Sequence, residues 1–191
     1  MLNKRRLQEV LIKYKADFVN KTWLGEKYKW IAVKCFQDNW NIDAQDFAGM
    51  LKASFAKADN LLSAAMYFPA AMIVEFAIAA PLEVKEMYRN LFDENIDICE
   101  RVANFKKKSD ELLSTYGKGA KNHYQTENSI FTYLWLQYPD KYYIYKFREV
   151  KAVAEKLESD YLFKQGAYED NIRNFLAFYH EINSELKQDS E

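Results

Sequence analysis

The chain has 191 residues, which suits one domain better than several. Its 27 basic and 28 acidic side chains nearly cancel, so no global field draws it onto nucleic acid or a membrane, although a local basic face is still compatible with this balance. Hydrophobic residues make up 49%, enough for a core, and only five glycines and three prolines favour long helices over a many-stranded sheet. We therefore expect a mainly helical single domain over residues 1–191.

The cysteines and apolar runs narrow the class of protein further. Cys35 and Cys99 form no CxxC motif and have no neighbouring histidine, so buried reduced thiols are expected, a disulfide is left open, and no metal or cofactor site is predicted. The longest apolar run, residues 70–82, is broken by Glu75 and Pro81 and is too short to cross a membrane. The basic N-terminus lacks a following apolar segment. These features predict a cytoplasmic protein without a membrane partner.

The first helix is predicted over residues 3–19. Its apolar stripe consists of Leu7, Val10, Leu11, Tyr14 and Phe18. Arg5 and Arg6 lie at the end of the helix that the dipole makes unfavourable for cations. They either contact phosphate or an acidic partner or simply remain solvated.

Residues 28–47 predict a helix, a tight aromatic corner and the start of a second helix over residues 44–57. Aromatic side chains recur at three- and four-residue steps before the corner, and Asp43 is the expected N-cap of the next helix. Pro69 then opens an almost wholly apolar helix over residues 70–79, which we expect at the centre of the bundle. Its single charge, Glu75, is either ion-paired, on an exposed edge or catalytic.

A helix beginning at Pro81 reaches Phe92, and Asp93 is the expected N-cap of the longest helix, residues 94–116, which Gly117 ends. The polar loop that follows is locally basic and carries an aromatic side chain, which suits phosphate contact and base stacking. The alternative is an ordinary mobile surface loop, and no phosphate-binding GxxxxGK motif occurs. Together with the basic side of the helix, the candidate nucleic-acid-binding residues are Lys106, Lys107, Lys118, Lys121, His123 and Tyr124.

After residue 130 the apolar pattern changes to alternation. The runs IFTYLWLQY and YYIYKF flank a Pro-Asp turn, which predicts one small antiparallel β-hairpin over about residues 130–147. Its aromatic face is either core or an exposed binding surface. Amphipathic helices over residues 148–158 and 168–187 complete a multi-helix bundle.

Four segments together are similar to a known family: KYKWIAVKCFQDNWNIDAQDF, NLLSAAMYFPAAMIVEFA, EVKEMYRNLFDENIDICERVANFK and TYLWLQYPDKYYIYKFREVKAVAEKL. The most specific words within them are FQDNWNIDA, NLFDE and QYPDKYYIYK. Within roughly residues 25–160 they resemble the N-terminal region that precedes the AAA+ motor in McrB-like restriction ATPases of bacterial defence systems. The resemblance implies a non-catalytic recognition module at the N-terminus of a longer protein, with DNA as ligand. It also implies an AAA+ motor and a nuclease subunit as partners; the full-length protein would be an AAA+ NTPase.

Two other classes of function stay open from the residues themselves. The chain could be a protein-interaction or scaffold module that docks a partner subunit through an aromatic surface, which the balanced charge favours. A stand-alone enzyme would need convergent titratable side chains in a cleft, and the two histidines belong to no recognisable catalytic motif. We therefore expect no catalytic residues in this chain.

Overall fold

The chain divides into two compact units in a computed structural model that describes residues 1–64 and 66–188. One unit comprises residues 1–27 and 145–191, and the other comprises residues 28–144. The described part is mainly helical, as the sequence predicts, and its β-structure is limited to an isolated bridge between Ala64 and Tyr67. Whether residues 1–191 behave as a single domain stays a prediction.

The helices follow one another with short connections. In chain order they are α1 (Lys4–Asp17), a π-helical turn (Phe18–Thr22), α2 (Trp23–Asn39), α3 (Phe47–Ser54), α4 (Asp59–Leu62), α5 (Pro69–Ala79), α6 (Pro81–Phe92), α7 (Ile98–Tyr116), α8 (Glu127–Gln137), α9 (Phe147–Lys156) and α10 (Tyr168–Leu186). The predicted helices over residues 81–92, 148–158 and 168–187 are confirmed with small shifts of their ends.

The first unit buries one side of α1 and α10. Asn3 caps α1 by accepting a hydrogen bond from the backbone N–H of Arg6 at 3.2 Å. Leu7 and Leu11 of the predicted stripe are buried, together with Phe175 and Phe178 of α10. Tyr14 and Phe18, which the stripe also includes, are exposed. Only the first half of the predicted apolar stripe therefore packs in the core of this unit.

The second unit is built around α8, and this is where the sequence prediction is wrong. Residues 130–147 form no β-hairpin: residues 130–137 belong to α8, whose residues 129–136 are all buried, and residues 138–146 are a turn and an extended connection. A helix that is buried on every side shows no 3.6-residue period, and a short apolar run can be mistaken for a strand. The aromatic face of the predicted hairpin is core, because the ring of Tyr133 packs on those of Phe55, Tyr88 and Phe105.

Helix α5 is less central than predicted. Ile73, Phe76 and Ala77 are buried, but Ala71 and Ile78 are exposed. An apolar sequence is therefore a poor guide to which helix occupies the middle of this bundle, since α8 carries more polar atoms and is buried more completely.

Two predicted N-caps are displaced by three or four residues. Asp46, not Asp43, caps α3 and accepts from the N–H of Gly49 at 2.8 Å. Asp97, not Asp93, caps α7. Asp93 instead accepts from the N–H of Asn95 in the preceding turn. Aspartates at both candidate positions satisfy the capping rule, so the sequence alone does not decide between them.

The thiols and the long helices show two further features. Cys99 is buried and Cys35 is half-buried, and neither is in a disulfide. Across residues 1–64 and 66–188, each helix is too short or too polar to span a bilayer.

Candidate functional site

Residues from three of the four segments that carry the McrB-like resemblance meet in the second unit. The indole of Trp40 lies 5.4 Å from the ring of Phe92, edge to face, and Phe92 lies 5.9 Å from the ring of Tyr138. The hydroxyl of Tyr138 also donates to the backbone carbonyl of Phe92 at 3.3 Å. Each of these three aromatic residues comes from a different segment, so positions roughly fifty residues apart in sequence form one aromatic centre.

Charged pairs surround this aromatic centre. Arg89 donates from Nη2 to Asp43 at 2.9 Å, and Lys141 forms an ion pair with Glu94. The Lys141 ammonium and the hydroxyl of Tyr142 hold the pKa of the Glu94 carboxyl below its usual value, Lys141 being the larger cause, while partial burial opposes the shift. Each acidic side chain at the rim is thus matched by a cation from another segment.

A buried arginine lies beneath the rim. Arg101 of α7 is 3% exposed and donates to the carbonyl of Leu91 at 2.9 Å and to the hydroxyl of Tyr142 at 2.8 Å. Tyr142 in turn donates to Glu94 at 3.2 Å. The guanidinium charge is therefore connected to a carboxylate through one phenol, which limits the cost of burying it. We call the following residues the motif cluster: Trp40, Asp43, Arg89, Phe92, Glu94, Arg101, Tyr138, Lys141 and Tyr142.

The motif cluster offers a surface that combines an aromatic centre with exposed polar groups. Asp43, Arg89 and Lys141 are exposed, whereas Arg101 and Tyr142 are buried and fix the geometry from below. The carboxylates accept hydrogen bonds from their cationic partners, so this arrangement suits recognition of a polar surface better than abstraction of a proton. In the described ranges, 1–64 and 66–188, no group of three or more histidine, cysteine, aspartate or glutamate side chains could hold a metal ion.

The six candidates for nucleic-acid binding also lie in the second unit, but the structure places them in several surroundings. Lys106 pairs with Glu127, and Nε2 of His123 lies 3.1 Å from Asp110. Lys106 and Asp110 are one turn apart on α7, so Lys106 and His123 are brought to the same side of that helix. Each of these two basic side chains has an acidic neighbour.

The remaining candidates are more dispersed. Lys118 lies 3.7 Å from Glu75, which is exposed; the structure thus favours both the ion-paired and the exposed-edge alternative for this glutamate. Lys107 lines a groove of about 400 Å³ between α6 and α7 together with Asn90 and Asn104. Lys121 is exposed in the loop. The six residues therefore do not meet at one point.

Tyr124 is packed against its surroundings. Its backbone adopts φ +59°, and its ring meets the edges of Tyr67 and Phe68 at 6.1 and 5.9 Å. The next residue, Gln125, is fully buried and holds the loop by donating to the carbonyl of Pro69 at 2.9 Å. Tyr124 is consequently half-buried and held by its neighbours at the end of the loop.

Sequence reasoning missed Arg101, which supports the motif cluster, and Gln125, which holds the loop after α7. The only signal for Arg101 is a charge between the apolar residues Cys99 and Val102, and such a charge is common on helix surfaces. Gln125 lies in a polar loop, where a glutamine attracts no notice. Their roles depend on partners 41 and 56 residues away in sequence, and no local pattern contains that information.

Comparison with known proteins gives no match: no family model, no characterised protein and no solved structure is similar to this chain. The relation to McrB-like proteins therefore stays a prediction from the four segments.

Proposed function

We propose that this chain is the non-catalytic N-terminal recognition module of an McrB-like nucleotide-dependent restriction system and that it binds DNA. The observation that carries the proposal is the motif cluster. Its members come from three of the four segments on which the resemblance rests, and they contact one another through Trp40, Phe92 and Tyr138. Segments that share one aromatic centre belong to one structural unit, and this supports the resemblance as more than a likeness of composition.

DNA as the ligand is supported by the charge of α7 and its following loop. Residues 106–124 carry five basic and two acidic side chains, within a protein whose total charge is nearly neutral. Contacts from such side chains to phosphate supply most of the affinity in sequence-independent binding. The AAA+ motor and the nuclease subunit that the resemblance implies are part of the same proposal.

The acidic neighbours of these lysines are compatible with phosphate binding. Exposed ion pairs such as Lys118 with Glu75 contribute only about 0–1 kcal/mol, because both side chains are solvated. A phosphate can replace the carboxylate of such an exposed pair at little cost, whereas the Lys106–Glu127 pair is partly buried and is harder to displace. Lys107 on α7 and Lys121 in the loop are both exposed and can reach phosphate directly.

The proposal is tested by fluorescence anisotropy with labelled duplex DNA, methylated and unmethylated, across a series of salt concentrations. We expect affinity to fall steeply with salt, and the Lys107→Gln/Lys121→Gln double variant to reduce the slope of log K against log salt by about two, one for each lysine that no longer neutralises a phosphate. Lys52→Gln/Lys57→Gln is the matched control, since both lysines are exposed but lie outside residues 106–124. Absence of binding to either duplex at about 50 mM salt, or an equal reduction in the control, would refute DNA binding.

A further inference from the structure

The first unit contains a stretch of helix that the rest of the unit leaves uncovered. Residues 12–27, all of which the structure describes, run from the second half of α1 through the π-helical turn into α2 and contain no buried side chain. An isolated helix of this length is marginally stable in water, and most helices in proteins are stabilised by packing of one face. The stretch therefore keeps much of its apolar surface exposed.

The π-helical turn groups aromatic side chains on this stretch. The N–H of Trp23 bonds to the carbonyl of Phe18, five residues earlier, so the turn holds one residue more than an α-helix would. As a result Trp23 contacts Phe18 at 6.2 Å between ring centroids, and Phe18 contacts Tyr14 at 5.5 Å. We call these three residues the aromatic strip. Their side chains are between 37% and 48% exposed.

Large aliphatic side chains accompany the aromatic strip. Ile12, Val19 and Leu24 are between 61% and 71% exposed. Scattered exposed apolar residues are ordinary, but six large ones within thirteen residues of one helix are typical of a surface that another protein covers. Because they are spread around the helix, a partner that packs alongside it would bury several of them together.

The charge of this region differs from that of the rest of the chain. Residues 4–27 carry seven basic and three acidic side chains, whereas the remaining residues carry 20 basic and 25 acidic. A groove of about 380 Å³ beside Tyr14 is also lined by Arg6, Lys13 and Lys156, with Glu9 and Asp17 as its acidic members. Lys4, Arg6 and Lys21 are already ion-paired, with Glu185, Glu158 and Asp17. A ligand that lies along the aromatic strip would therefore meet a small excess of positive charge.

From these observations we propose that the aromatic strip docks an acidic amphipathic helix of a partner protein. An apolar stripe on that helix would cover Tyr14, Phe18 and Trp23, and its acidic residues would face the basic side chains of residues 4–27. A second copy of this chain fits less well, since two such basic segments repel each other. Nucleic acid also fits less well, because Ile12, Val19 and Leu24 have no role in contacting phosphate. The inference concerns the first unit and is independent of DNA binding by the second.

The test measures binding of the full chain to a labelled helical peptide with leucine at the a and d positions of each heptad and glutamate at the exposed ones. The comparison peptide has lysine in place of glutamate. We expect the acidic peptide to bind and the basic one to bind at least about tenfold more weakly. The Phe18→Ser/Trp23→Ser variant should bind the acidic peptide at least about tenfold more weakly than the wild type, as expected when aromatic side chains at the centre of an interface are removed. Leu162→Ser, an exposed apolar residue of the same unit outside the stretch, should bind as the wild type.

Three outcomes would overturn the proposal. Equal binding of both peptides, or no binding, would remove the acidic helix as occupant. Dimerisation of the wild type that the Phe18→Ser/Trp23→Ser variant abolishes, measured by sedimentation equilibrium, would assign the strip to a second copy. Loss of duplex DNA binding in the same variant would assign it to nucleic acid. Circular dichroism of the variant establishes that it folds, and since both side chains are exposed we expect an unchanged spectrum.

Discussion

Arg101 donates a hydrogen bond to the hydroxyl of Tyr142 at 2.8 Å. This hydrogen bond connects a buried charge on α7 to the segment that follows α8. The guanidinium also lies over the Tyr142 ring, with its central carbon 5.7 Å from the ring centroid. Because Tyr142 passes a hydrogen bond on to Glu94, the three side chains form a chain from the core to the rim of the motif cluster. The cluster therefore depends on a buried polar network as well as on aromatic packing.

Replacing Tyr142 with phenylalanine should destabilise the protein by about 1.5–3 kcal/mol, the range for a hydrogen bond to a charged group. The ring stays in place, but the buried guanidinium loses one of its two acceptors. The measurement is the free energy of unfolding in urea, with Tyr116→Phe at the end of α7 as the matched control. A destabilisation in Tyr142→Phe no larger than in this control would show that Arg101 does not need the phenol.

The free energy of unfolding should depend on pH through Glu94. Its pKa is lower in the folded protein than in the unfolded chain, because Lys141 and Tyr142 stabilise the carboxylate. The carboxylate therefore contributes stability above its unfolded pKa of about 4.3, and this contribution disappears as the pH falls through the lower folded value. We expect Glu94→Gln to cost about 0.5–1 kcal/mol at neutral pH, a value reduced for its partial exposure to solvent, and to cost nothing in acid.

Urea unfolding at several pH values between about 3 and 7 checks this expectation, because the two unfolding curves should converge as Glu94 becomes protonated. Asp140→Asn is the control: this exposed neighbour of Lys141 lies outside the hydrogen-bond chain. A difference between wild type and Glu94→Gln that stays constant across the range would contradict the proposed role of the carboxylate.

The helical class and the ends of several helices were predictable from the sequence because they depend on local signals. Pro81 starts α6 and Gly117 ends α7, as their positions in the apolar pattern predict. The choice between Asp43 and Asp46 as N-cap was not predictable, since both satisfy the same local rule. In the structure the Asp43 carboxylate accepts a hydrogen bond from Arg89, which is 46 residues away in sequence.

The helical structure of α8 was not predictable from its local sequence pattern. Its sequence alternates in the way an exposed strand does, yet its residues are buried on all sides, and complete burial removes the period that would identify a helix. The same limit applies to the candidate nucleic-acid-binding residues. Composition proposes the lysines and His123, but their acidic neighbours Asp110, Glu127 and Glu75 come from other helices or turns, which no local pattern shows.

Gln125 should be essential for the loop between α7 and α8. Its amide donates to the carbonyls of Pro69 and His123, and its oxygen accepts from the hydroxyl of Tyr133 at 2.9 Å. Burial raises the pKa of Tyr133 well above its ordinary value, so this hydroxyl keeps its proton and acts as a donor. A methionine of similar size at position 125 would leave these buried groups without their partner, at a cost of about 2–4 kcal/mol.

The free energy of unfolding of Gln125→Met is the quantity to compare, with Gln45→Met as the control because Gln45 is exposed. If Gln125→Met were as stable as the wild type, the three hydrogen bonds would not contribute to holding the loop.

Asp46 and Gly49 should show coupled effects on α3. The Asp46 carboxylate accepts from the N–H of Gly49, and a Cβ added at position 49 would lie 2.2 Å from one of its oxygens. Asp46→Ala alone should cost about 1 kcal/mol through loss of the cap. Gly49→Ala alone gains about 1 kcal/mol of helix propensity but displaces the carboxylate, so its net effect should be close to zero. In the Asp46→Ala background no carboxylate is displaced, and the same Gly49→Ala change should stabilise by about 0.5–1 kcal/mol. A double-mutant cycle from urea unfolding measures this coupling, and strictly additive effects would mean that the carboxylate does not occupy the space beside Gly49 in solution.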